Sequence, residues 1–356
     1  MLVNNVFGRY HMQKRHFRLG QPAAHYLEEL VLNTSTDKRT DLGTAISTYV
    51  TDGCHLSIGG FTINRNPMAA VYEIIRQGVT NLHVYAHSNG QGVDELIGGG
   101  CVARLEIAYG GSGRFAPTCV RFRKAVENGS LLVEDYSNYQ MSLRFMAGAM
   151  GVPFLPTRSG LGTNLIDRWG LPQAVRQNNA EIPDQKLIVM DNPFGTWQDT
   201  TRVVLVPAIN PDVTIIHVQQ ADAHGNLRIQ GLSFTDVEQA KAARHVIATC
   251  EEVVATEVLR QAPDRNQVPF FCVDAVVALP FGAYPTACYG HYDYDPVFLH
   301  EYRQTAQDDT RYQAYLANSI RSVGDHQAFL RQIGEKRLNK IKADPRTGYA
   351  SGLDRR

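Results

Sequence analysis

The sequence predicts an α/β fold built on an open, mostly parallel sheet flanked by helices, with further helices toward the C-terminus. Three observations predict it. From Asp41 onward, short apolar runs alternate with amphipathic stretches, the pattern of parallel sheets, in which every crossover needs a helix. The first four apolar runs recur at spacings of roughly 25 residues, the scale of a strand, crossover helix and strand. Finally, 356 residues with 44% hydrophobic and 20% charged side chains have the composition of a chain that folds rather than one that stays disordered.

Taken in order, residues 1–40 read as an N-terminal extension: 7–19 is basic and irregular, 26–32 makes one or two helical turns, and 33–40 is polar. The body, 41–340, opens with strands at 57–61, 82–86, 105–109 and 131–136. The helices between them are marked by their punctuation. Pro67 suits a first helical position, Val71, Ile74 and Ile75 follow at i, i+3 and i+4, and Gly78 supplies a left-handed stop, which gives a helix over 67–77. Helices over 119–127, closed by Gly129, and 139–150, closed by Gly151, repeat the logic. Strands at 187–190, 203–206, 213–218, 246–250 and 273–279, with a crossover helix at 235–243, extend the same sheet to about eight to ten strands. Beyond Asp295 come helices at 298–307, 311–321 and 325–334. The basic stretch from Lys336 to Arg356 reads as solvated, and 341–356 is set apart as a C-terminal tail.

The length is about twice that of a usual domain, leaving one large or two smaller domains open. Lys+Arg and Asp+Glu both number 35, so the formal net charge is zero and the basic footprint of a nucleic-acid binder is missing. No apolar run approaches the roughly 18 residues of a membrane span, and the first residues lack the apolar stretch of a signal peptide. A cytoplasmic protein is expected. Six cysteines without a C-x-x-C pair argue against a zinc site or a disulfide framework, and they read as small buried hydrophobes.

In open α/β sheets, ligands bind at the carboxyl ends of strands. Three glycine-rich loops fall there: 58–65, with Gly59, Gly60, Phe61, Thr62 and Arg65; 87–92, with His87, Ser88, Asn89 and Gly90; and 110–113, with Ser112. They should share one rim. Consecutive glycines let a ligand approach the backbone and leave N–H groups to face an oxygen. Neither G-x-G-x-x-G nor G-x-x-x-x-G-K-[ST] occurs, so dinucleotide and nucleoside-triphosphate readings fail on pattern. Ser57 and Ser88 have no nucleophile elbow, and the histidines show no metal spacing. His217 is the best-placed histidine, although a lone strand-end histidine is more often a structural hydrogen-bonder. Glu251 and Glu252 are adjacent in a strand and point to opposite faces, so one of them anchors structure.

These residues carry a resemblance. Asp52-Gly53, Leu56-Ser57-Ile58-Gly59-Gly60-Phe61 resembles the glycine-rich signature of class I coenzyme A transferases. Asp191-Asn192-Pro193-Phe194, residues 212–217 with Ala221-Asp222, Gly225 and Asn226, residues 272–277, and residues 282–295 are similar to A subunits of the glutaconate-type branch. The similarity runs from about Asp41 to about Lys340. Ser57 and Arg65 depart from the signature, which prefers an apolar residue and a glycine there.

The resemblance implies acyl exchange through a glutamyl thioester, with the glutamate on a partner B subunit. It implies no tightly bound cofactor and no metal, with coenzyme A thioesters as substrates and small (di)carboxylic acids as acyl groups. This chain would then supply an oxyanion loop at Gly59 and Gly60. Phe61, Thr62, Arg65, Ser88, Asn89, Gly90 and Ser112 would line the acyl pocket. Arg65 is expected either to pair with the free carboxylate of a dicarboxylic acyl group or to be a solvated helix-entry residue. Two other readings stay open: a hydrolytic, ring-cleaving or decarboxylating enzyme on the same fold, with an acid such as Glu134, and a non-catalytic acyl-CoA-binding scaffold.

Overall fold

The computed structural model describes residues 37–196 and 200–353; the extension as far as residue 36 lies outside them. Helix α1 (Leu42–Tyr49) is capped by Asp41, whose carboxylate accepts the Thr44 N–H. There follow β1 (His55–Ile58), α2 (Met68–Gln77), β2 (Leu82–Asn89), α3 (Gln91–Gly98), β3 (Val102–Gly110), α4 (Val120–Glu127), β4 (Leu132–Asp135) and α5 (Asn138–Met150). Gly78 and Gly151 close α2 and α5 in the left-handed conformation, as their positions in the sequence predict.

An insertion comes next, made of β5 (Phe154–Thr157), the short helices α6 (Asn164–Asp167) and α7 (Gln173–Gln177), β6 (Ile188–Asp191) and β7 (Arg202–Pro207). Then β8 (Val213–Ala221), β9 (Leu227–Arg228), α8 (Asp236–Ala242), β10 (His245–Val253), α9 (Thr256–Arg260) and β11 (Ala275–Ala278) complete the main sheet. Its order is β11-β10-β8-β1-β2-β3-β4, with β9 hooked on to β8. Every neighbouring pair is parallel except β8 with β9. Strands β1 and β2 are buried throughout, as strands covered on both faces must be. Residues 38–40 run beside the edge strand β11, the Thr40 N–H donating to Val276 and the Val276 N–H to Lys38. From β1 the chain builds outward to β4 on one side and, later, to β11 on the other. The order therefore reverses between β1 and β8, which is where an open α/β sheet opens a crevice.

One expectation is corrected. The runs at 187–190 and 203–206 do not join the main sheet. As β6 and β7 they belong to a separate antiparallel sheet, completed by β5 in the order β5-β7-β6. Antiparallel strands need no long crossover helix, and α6 and α7 span only four and five residues. Strand β5 escaped notice because Pro156 interrupts it, a residue that an edge strand tolerates.

The C-terminal stretch is solvated along its charged side chains, as expected, but it is also anchored to the body. Helix α10 (Pro296–Gln307), α11 (Asp309–Tyr315) with its π-helical continuation Leu316–Arg321, and α12 (His326–Ile333) lead into α13 (Glu335–Ile341). Leu338, Ile341 and Ala350 are buried. The Asp293 N–H donates to Ile341, and the Asp293 carboxylate accepts the Ala350 N–H at 2.6 Å.

Candidate active-site rim

The glycine loop leaves β1 at the point where the strand order reverses. The Gly59 N–H extends the β1/β8 ladder to Ile215 O, and the Asn89 side chain donates to Gly59 O. The Thr62 N–H donates to Ser88 O, and the Gly111 N–H to Asn89 O. A Cβ on Gly90 would fall 2.5 Å from Ser112 Oγ and 2.8 Å from Thr62 O. The three glycine-rich loops thus meet at one place, at the carboxyl ends of β1, β2 and β3.

Within the loop, Phe61 and Asn64 exchange N–H···O bonds. Gly60 has φ +84, and a Cβ there would stand 2.6 Å from the carbonyl oxygens of both Asn64 and Arg65. Thr62 and Arg65 also lie in the left-handed region, at φ 50 and 48. That conformation gives the physical reason for the signature's glycine at position 65, and an arginine held there carries strain of the kind found at functional sites.

Arg65 is not solvated; its guanidinium is turned into the protein. Its side chain is 3% exposed and pairs with Asp236 at 2.8 Å. The same guanidinium donates to the carbonyls of His217 and Leu232. The other oxygen of Asp236 accepts the Gly60 N–H at 2.8 Å. Burial pushes the Asp236 carboxyl up, against the pull of Arg65. Both glycine N–H groups expected to face an oxyanion are therefore engaged inside the protein. Of the N–H groups from Gly59 to Arg65, that of Ile63 alone has no partner among the described residues.

The neutral donors expected in the pocket are also turned inward. Ser88 Oγ donates to the Asn138 side chain, and the Asn89 amide oxygen accepts the Val93 N–H. Ser112 Oγ lies 3.8 Å from Cys119 Sγ. His87 donates from Nε2 to Asn138 O, its Nδ1 has no partner among the described residues, and burial lowers its pKa. Half-buried Phe61, Thr62, Ile63 and Asn64 form the accessible edge of the loop. Phe61 stacks on Phe234 with ring centroids 4.6 Å apart.

Beneath the rim, His217 is the structural hydrogen-bonder its position predicts. Its ring bonds Thr249 through Nδ1 and Glu251 through Nε2. Glu251 is the anchoring member of its pair. It also takes the Tyr292 hydroxyl and the Phe281 N–H, and although burial opposes its charge, these bonds hold its carboxyl below the usual value. His217, Glu251 and Cys288 bring possible ligand atoms within 4.8 Å of one another, a grouping from three distant segments that sequence spacing could not show. Each Glu251 oxygen is already hydrogen-bonded. Glu134, the acid of the alternative chemistry, is fully buried against Arg176 and accepts the Gly170 N–H at 2.6 Å. It is a structural anchor and not a rim acid.

Sequence reasoning missed Asp236, which reads as an ordinary acid in a first helical turn, and Phe234. Neither carries a signal that points back across the chain to the loop.

Residues 39–279 match the family model described as Coenzyme A transferase. The chain is 41% identical over 305 residues to the A subunit of the glutaconate CoA-transferase of Acidaminococcus fermentans, covering 86% of this chain and 94% of that one. It is 32% identical over 294 residues to the A subunit of the 3-oxoadipate CoA-transferase of Pseudomonas knackmussii, covering 82% and 96%. The crystal structure of the Acidaminococcus glutaconate coenzyme A-transferase superposes with a TM-score of 0.84 over 89% of this chain and 98% of that chain, at 40% identity.

Proposed function

This chain belongs to the coenzyme A transferase family, and from that premise we propose that it is the A subunit of an enzyme exchanging coenzyme A between small dicarboxylic acids, completed by a B subunit. The observation that carries the reading is the glycine loop at the strand-order reversal, on a chain similar over most of its length to transferase A subunits. Asp236 and Glu251, the carboxylates beneath the loop, have both oxygens hydrogen-bonded. This supports a nucleophile that comes from the partner.

In this reading the partner's glutamate attacks the thioester carbonyl and expels the coenzyme A thiolate. The thiolate then attacks the glutamyl carbonyl of the resulting anhydride, releasing the acid and leaving a glutamyl-CoA thioester; the acceptor acid reverses both steps. The half-buried edge at 61–64 faces the acyl group, and the Ile63 N–H is the donor the loop offers to it. The dicarboxylate class rests on the relatives named for glutaconate and 3-oxoadipate; Arg65, held by Asp236, takes no part in its recognition. Coenzyme A enters as a substrate. Among the described residues no helix is long and apolar enough to cross a membrane, and all six cysteines are free thiols, in keeping with a reducing, cytoplasmic setting.

The test is trapping. The complex with its B subunit, given glutaconyl-CoA and then borohydride or hydroxylamine, should be modified on one partner glutamate and lose activity. Steady release of free coenzyme A from an unmodified complex would assign hydrolysis instead. Full-rate transfer by this chain alone would remove the partner from the mechanism.

A further inference from the structure

Resting on the transferase reading, we propose that the buried Arg65–Asp236 pair is a positioning device: it holds Gly60 and the strained turn above it so that the Ile63 N–H and the loop edge face the acyl group. The pair joins three pieces of chain that contribute to the rim. Asp236, at the start of α8, takes the Gly60 N–H on one oxygen and Arg65 on the other. Arg65 ties down the Leu232 carbonyl, two residues before the Phe234 ring that stacks on Phe61, and the carbonyl of His217 in β8. Its own N–H donates to Ala287 O at 2.7 Å.

The energetic argument separates positioning from stability. A buried ion pair gains little over well-packed apolar side chains of similar size, because desolvation offsets the attraction. The pair at the base of this loop is 3% and 0% exposed, so its net contribution to folding is small while its geometric constraint is tight. Three left-handed residues within six positions, Gly60, Thr62 and Arg65, do not hold that shape unaided, since each non-glycine left-handed residue is strained. Without the Asp236 oxygen on the Gly60 N–H, the turn relaxes and the Ile63 N–H leaves its line.

The double variant R65M/D236L, assembled with its partner subunit, tests this. We expect the melting temperature to stay near wild type, kcat to fall by about a hundredfold, as for misplaced reacting groups, and KM for coenzyme A esters to stay unchanged. The kcat/KM ratio of glutaconyl-CoA to crotonyl-CoA should also stay unchanged, because Arg65 does not touch the acyl carboxylate. Amide hydrogen exchange over residues 59–65, which needs no turnover, should accelerate in the variant. Should the double variant fail to fold, D236A, which removes the acceptor of the Gly60 N–H while Arg65 keeps its carbonyl partners at His217 and Leu232, is expected to show the same loss of kcat and of loop protection. Wild-type kcat with a protected loop in either variant would overturn the proposal. So would a fall in activity that only tracks the unfolded fraction. A wild-type complex that transfers no coenzyme A would defeat the functional reading instead, and the exchange measurement would still decide whether the pair holds the loop.

Discussion

Replacing Glu95 by glutamine should make the protein's stability less sensitive to a rise in pH from acidic to neutral. Glu95 lies in α3 and is fully buried; it accepts hydrogen bonds from Gln91, Tyr72 and Tyr315 at 2.7, 3.0 and 2.9 Å. Burial outweighs these donors and pushes its carboxyl from 4.5 up to about 7. The folded state therefore holds this proton more tightly than the unfolded chain. Its contribution to stability is fully present below pH 4.5 and is lost as pH rises through about 7, because the unfolded chain has already released its proton. At about 1.4 kcal/mol per pKa unit, the loss between pH 5 and pH 8.5 amounts to about 2.5 kcal/mol. With an unfolding entropy of about 2.1 cal/mol/K per residue, that shifts the melting temperature of a chain this size by about 3 °C. A glutamine amide in its place has no such proton to lose, and the Tyr315 hydroxyl can accept from it. Asp94, which burial raises to about 6, is present in both proteins and largely cancels in the comparison. Thermal melts of wild type and E95Q across this range should show the wild type losing ground as pH rises. A constant difference in melting temperature would refute the assignment of a buried, protonated Glu95.

Gly60→Ala should lower both the melting temperature and kcat, since its methyl group would stand 2.6 Å from two backbone oxygens. Gly129→Ala, at φ +73 with nothing within 4 Å, should cost only the left-handed backbone penalty of about 1–2 kcal/mol and leave turnover intact; equal effects at the two sites would contradict the packing described for the loop. Glu134→Gln should destabilise by about 3–5 kcal/mol, because it leaves Arg176 buried without its counter-ion, while the folded enzyme keeps its kcat; a specific loss of turnover would return Glu134 to the chemistry.

What the sequence revealed followed the range of each interaction. The stops at Gly78 and Gly151 and the stripe of Val71, Ile74 and Ile75 are local, and the helices they mark form as expected. The three glycine loops were legible as one rim because the parallel topology that unites them is encoded in their even spacing. What they do with their N–H groups was not, because Asp236 stands 176 residues from Gly60 and 171 from Arg65. Arg65 shows the limit most clearly: both readings available from its neighbours placed it in water or against a ligand, and the structure buries it. The second sheet was missed for a related reason. The apolar runs of β6 and β7 read as strands but carry nothing local that says which sheet they join, and β5 is broken by Pro156.

The place of β1 in the sheet bears on how the chain is made. Among the described residues it is the first strand of the sheet to leave the ribosome, and it lies in the middle of the finished sheet, paired with β2 on one side and β8 on the other. The bond from the His55 N–H to Asp212 spans 157 residues. At the usual rates of synthesis, that separation takes roughly 8 to 30 seconds to translate. Throughout that time the edge carrying Leu56 and Ile58 has no strand to pair with. A half-sheet from β1 to β4 can form during the wait, but the rim cannot, because Asp236 emerges only after β8. Nascent chains stalled before residue 213 should therefore be the form most prone to edge-to-edge association and most dependent on chaperones.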